Sequence, residues 1–170
     1  MTSRLPMLSY RIMSNEHPGL EARIKELEIS LALLFPELND VTLRVRMKKM
    51  RSAIAEYDYR TRRISIDPRP FEPDDNNLLP SVLAHETMHA VQHIDRTVPY
   101  GERSCDIFML ARLPTYLYPK NRDFYVAIPK KVLSSPERIS QTAKKALELR
   151  KRGMRNYIVW FESELKNSAN

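Results

Sequence analysis

Cysteine and glycine are both scarce in this chain, which has one of the former, Cys105, and three of the latter among its 170 residues. A lone thiol excludes a disulfide framework and a four-thiolate zinc cluster, and it suits a reducing compartment. Any metal is then expected to be held by histidine and carboxylate. Gly19, Gly101 and Gly153 lie too far apart for the glycine-rich turns that wrap a pyrophosphate, which excludes P-loop and Rossmann sites. Long hydrophobic runs are missing too: the best apolar stretch, residues 29–35, contains Ser30 and falls far short of the roughly 18 to 20 residues of a membrane span. Residues 1–14 lack the apolar core and small-residue cleavage site of a secretory leader. These absences predict a cytoplasmic chain with no membrane segment.

What is present suffices for a folded core. Hydrophobic residues make up 42% and charged residues 29%, above the apolar content of disordered chains. With no internal repeat and no low-complexity tract, a single domain over residues 1–170 is expected. The net charge of +7 favours polyanions or acidic substrates at low salt. Its basic residues gather at 44–51, 60–63 and 144–155. No nucleic-acid-binding signature accompanies them, so they read as solvated faces of strands and a helix, and only their charge supports a nucleic-acid partner.

Periodicity orders the elements as an α+β chain. Leu20, Ile24, Leu27, Leu31 and Leu34 follow steps of four and three, the stripe of an N-terminal amphipathic helix that stops at Pro36. Leu43, Val45 and Met47 alternate with Arg44, Arg46 and Lys48, as on a strand with one buried face. Two further strands, residues 53–57 and 63–66, flank a polar turn at 58–61, giving a small, three-stranded, mostly antiparallel sheet. A polar loop over 70–77 leads to a helix opened by Pro80, with Val82, Leu83, Met88, Val91 and Ile94 on its apolar face. A short helix from Glu102 to about Arg112 follows, then an irregular stretch, residues 114–129. A long helical segment over residues 135–170 closes the chain; Ser134 with Glu137, or Ser135 ahead of Pro136, marks its start, and Gly153 can bend or break it.

The helix after Pro80 carries His85-Glu86-Thr87-Met88-His89, the H-E-x-x-H pattern of zinc-dependent peptidases. Four residues advance a helix by about 6 Å and leave the two imidazoles on one face, where both can ligate one ion. Glu86, beside the first histidine, is placed to act on a water as general base without ligating the metal. A catalytic zinc takes three protein ligands. His93 lies about 12 Å along the axis from His85, too far to share the ion. The twelve residues between His89 and Glu102 give the chain ample length to reverse and return Glu102 to the ion. Asp106, one turn beyond, is then placed to accept the outer N–H of a ligating imidazole. Asp106 itself and Asp95 are the other carboxylates open to the ligand role. Cys105 offers a thiolate, but it sits beside the carboxylate face and reads as a small buried residue.

The segment Gly101-Glu102-Arg103-Ser104-Cys105-Asp106 resembles the N-E-x-x-S-D glutamate-helix motif of gluzincins, with Gly in place of Asn and Cys in place of Ser. Residues 102–114 are similar to the segment after H-E-x-x-H in ImmA-type metallopeptidases, and residues 64–66 leading into the helix resemble SprT-like proteins. The chain as a whole most resembles the minigluzincins, over about residues 44–114. That resemblance implies a zincin-like domain with an active-site helix and a glutamate helix, a Zn2+ cofactor held by His85, His89 and Glu102, Asp106 behind the ligands, and a zinc-dependent endopeptidase acting on peptide or protein substrates. A Tyr or His stabilises the oxyanion in such enzymes; Tyr100, Tyr116, Tyr118 and Tyr125 are the contenders. The strand over residues 63–66 is expected to line the cleft as an open edge to which an extended peptide adds. The resemblance also allows latency, with residues 135–170 as a plug or a self-association contact, although an ordinary packing helix is preferred. The alternatives are a DNA-associated metalloprotease of the SprT-like kind, whose third His and Cys-rich ribbon this chain lacks, and a non-catalytic zinc or nucleic-acid-binding module, which has no need of Glu86.

Overall fold

A computed structural model describes residues 7–13, 16–71, 77–120 and 123–168. The elements run β1 (Ser9–Ile12), α1 (Pro18–Leu34), β2 (Thr42–Met47), β3 (Ala55–Asp58), β4 (Arg63–Ile66), α2 (Leu78–Ile94), α3 (Glu102–Arg112), α4 (Pro136–Lys151) and α5 (Tyr157–Asn167), with short 3-10 turns after α1, after α3 and before α4. The chain is therefore α+β. It divides into two compact units, one of Met1–Asp75 with Val82–Val98, the other of Asn76–Ser81 with Pro99–Asn170.

In the first unit, α1 opens with Pro18 at its first position, where the missing N–H costs nothing, and ends before Pro36. Leu20, Ile24, Leu31 and Ala32 form its buried side. The sheet departs from expectation in two ways. Four strands pair in the order β1-β2-β4-β3, and two of the three pairings are parallel, β1 with β2 and β2 with β4; only β3 with β4 is antiparallel. The extra strand, β1, precedes α1, so the chain's first element is a strand. It spans four residues, and its partner residues lie 33 positions away, so no local alternation announced it.

The second consequence concerns β4. Residues 63–66 are not an edge: β4 is hydrogen-bonded to β2 on one side and to β3 on the other, and the outer strands are β1 and β3. No peptide can add to β4 without displacing a neighbour. The β3–β4 hairpin is as expected: Asp58 Oδ1 accepts the Arg60 N–H at 2.9 Å, and Arg62 takes a positive φ of 49° to complete the turn. The loop expected over 70–77 falls largely on residues 72–76, outside the described residues.

The second unit is helical. α3 packs on α4 and α5, and α4 on α5. Ser104 and Tyr157 share a buried hydroxyl–hydroxyl hydrogen bond at 2.5 Å, and Arg103 pairs with Glu162. The expected long C-terminal helix is two helices. Gly153 adopts φ 102°, a left-handed conformation that other residues adopt only under strain, and the helix axis restarts at Tyr157. Ile139, Ala143 and Ala146 of α4 and Tyr157, Phe161 and Leu165 of α5 are buried, as packing helices require.

Candidate metal centre

The two histidines emerge from α2 one turn apart with ring centroids 5.0 Å from each other and planes at 78°. His85 is buried and His89 half-buried. The neighbours on the same helix are unusually polar for buried positions: Glu86 is 7% exposed, Thr87 fully buried and Gln92 1% exposed. Charged and amide side chains are rarely buried without a task, because each must recover its lost hydration.

Two of these polar groups orient the helix and its rings. His89 Nδ1 faces the Gln92 carboxamide oxygen at 3.1 Å. A neutral ring donating there carries its lone pair on Nε2, so the contact with Gln92 favours that tautomer. Sequence reasoning passed over Gln92; the available signal was its i+3 position after His89, which places both on one helical face. The Thr87 hydroxyl donates to the Leu83 carbonyl at 2.7 Å and meets the Tyr10 hydroxyl at 2.7 Å. Burial pushes the Tyr10 phenol well above its ordinary pKa, so it remains a neutral donor to Thr87. Strand β1 is thereby tied to the middle of the H-E-x-x-H segment.

Within the first unit His85 and His89 give two nitrogen donors one turn apart, the spacing at which both can ligate one ion. Cys105, read from the sequence as a small buried residue, is fully buried on α3. One turn earlier, Glu102 stands exposed at the first position of α3, preceded by Gly101 at φ 108°. His93 is exposed, with Tyr59 against it at 5.6 Å between centroids.

The remaining site expectations sort by burial. Asp106 is fully buried, and its Oδ2 accepts the backbone N–H groups of Tyr125 and, at 3.2 Å, Val126. It thus fastens that loop to α3. Tyr118 is buried and donates its hydroxyl to the Leu110 carbonyl, while burial raises its pKa. That hydroxyl is committed to structure. Tyr100, Tyr116 and Tyr125 are 67%, 74% and 59% exposed. No helix is long and apolar enough to cross a membrane among the described residues. No protein-family model, curated protein or solved structure matches the chain.

Proposed function

We propose that the chain is a zinc-dependent peptidase that hydrolyses peptide bonds in peptide or protein substrates. The observation that carries this reading is the pair of imidazoles one turn apart on α2, ring centroids 5.0 Å from each other, with a buried carboxylate, Glu86, next to the first. Imidazole nitrogens are donors that suit zinc, and three protein ligands are the number of an open, catalytic site. His85 and His89 would hold the ion, and Cys105 is one candidate for the third ligand. Glu102, the ligand implied by the gluzincin resemblance, is the competing third donor.

A zinc ion held there would supply a Lewis acid to polarise a carbonyl and would lower the pKa of water toward about 7. The chain's own groups do the rest. Glu86 accepts the proton of the attacking water and returns it to the departing amine, a role for which a carboxylate in low dielectric is well suited. Gln92 holds His89 in the tautomer that presents Nε2. Thr87, bonded on both sides, keeps this turn of α2 from rotating.

The test is Glu86→Gln. It keeps volume and removes the base, so zinc content measured by mass spectrometry should stay equimolar while cleavage of an unfolded polypeptide falls roughly a hundred- to ten-thousand-fold. Undiminished turnover in this variant, or a wild-type protein that purifies with zinc and cleaves nothing, would defeat the proposal.

A further inference from the structure

The face of the sheet turned away from its core carries an unusual row of charge. Arg11 on β1 is the register partner of Arg44 on β2, and Arg44 is the partner of Arg63 on β4. Register partners on neighbouring strands project to the same face, so three guanidinium side chains lie side by side. At about 4.8 Å per strand the row spans roughly 10 Å. Arg46, two residues along β2, adds a fourth cation about 6.6 Å away on that face. Alternation confirms the side: Leu43, Val45 and Met47 are buried, whereas Arg44 and Arg46 are exposed.

Such an arrangement opposes folding, because like charges directly opposite on adjacent strands repel. Among the described residues, ion pairs relieve it at one end only. Asp58 on β3 is the register partner of Arg63 and approaches it at 3.5 Å, and Lys48 takes Glu56 at 2.8 Å. Among the described residues Arg11, Arg44 and Arg46 have no ion pair. Arg63 adds a further deficit: its Nε is buried and has no hydrogen-bond partner among the described residues, an omission that folded proteins rarely tolerate. Met13, Glu16, Arg44, Arg46, Met47 and Arg63 line a groove of about 420 Å³ at this place.

We propose that this arginine face binds the phosphate backbone of a nucleic acid, independently of base sequence. Guanidinium matches phosphate with paired, charge-assisted hydrogen bonds. A row about 10 Å long, with a fourth cation off its line, engages more than one phosphate, which favours a polymer over a single small anion. Among the described residues, the strand positions on this face carry no aromatic side chain for unpaired bases to stack on, so contact is with the backbone.

Fluorescence anisotropy with a labelled 20-nucleotide oligomer, single-stranded and duplex, tests this on the full chain across a salt series. The dissociation constant should lie in the micromolar range and weaken steeply with salt. Arg44→Glu with Arg46→Glu should weaken binding more than tenfold and flatten the logarithmic salt slope by about one to two, while circular dichroism stays native. Lys144→Glu with Lys151→Glu on α4, an equal change in charge at two exposed positions, should leave affinity within about twofold. An equal loss in both variants would mean net charge alone was at work and would overturn the proposal. So would affinity unchanged by the arginine reversals, equally tight binding of polyglutamate, or displacement of the oligomer by submillimolar inorganic phosphate, the sign of a small-anion site.

Discussion

Helices α2 and α3 both bury polar side chains, yet the groups do different things. On α2, His85, Glu86, Thr87 and Gln92 are buried, the Thr87 hydroxyl donates to the Leu83 carbonyl, and the Gln92 carboxamide oxygen faces His89 Nδ1. On α3, Asp106 is equally buried, and it accepts two backbone N–H groups of a following loop. Burial alone therefore does not mark chemistry. Asp106 accepts main-chain donors and is a fastening, whereas Glu86 is a buried carboxylate in the turn that carries His85 and His89.

The contrast can be broken most decisively at Cys105. If its sulfur is the third donor, Cys105→Ser should lower zinc affinity more than a hundredfold by competition with a chromophoric chelator, and Glu102→Gln should leave affinity within a fewfold. The reverse ranking would restore the carboxylate to the ligand position and make Cys105 a packing residue. Next in size, Asp106→Ala strips the acceptor from two N–H groups, one of them on buried Val126, and should cost about 1–3 kcal/mol of stability in urea titration. Zinc stoichiometry of the folded variant should be unchanged; loss of metal without loss of stability would instead place Asp106 behind the ligands. The smallest effect is expected at Gln92→Ala, which leaves every ligand in place but frees the tautomer, and should weaken zinc binding about tenfold. No change there would show that the 3.1 Å contact to His89 is incidental.

How much of this was readable beforehand depended on whether the information is local. Helical spacing is local, so α2 and the limits of α3 at Glu102 and Arg112 could be drawn from the pattern, as could the histidine pair and its intervening glutamate. Strand pairing is not. Thr42 to Met47 alternates plainly, but nothing in those residues says that both its neighbours run parallel to it, nor that β3 lies outside β4. The same limit hid Gln92, a common surface residue type whose burial depends on what covers it. The reading of Glu102 as third ligand rested on chain reach and on the gluzincin resemblance; it and Cys105 stand three positions apart on a helix and differ in direction by less than a quarter turn. The break at Gly153 was legible as a weak point, but whether the chain turned there depended on whether α5 had something to pack against.

The hydroxyl contact between Tyr10 and Thr87 joins positions 77 residues apart. Its consequence is a thermodynamic linkage between the start of the chain and the turn bearing both imidazoles: any event that peels the first strand from its parallel neighbour, such as a protease nick or a bulky fusion, also releases that helical turn. Occupancy by the ion should in turn slow hydrogen exchange at residues 9–12, far away in sequence, making the first strand a remote reporter of whether the histidines are loaded.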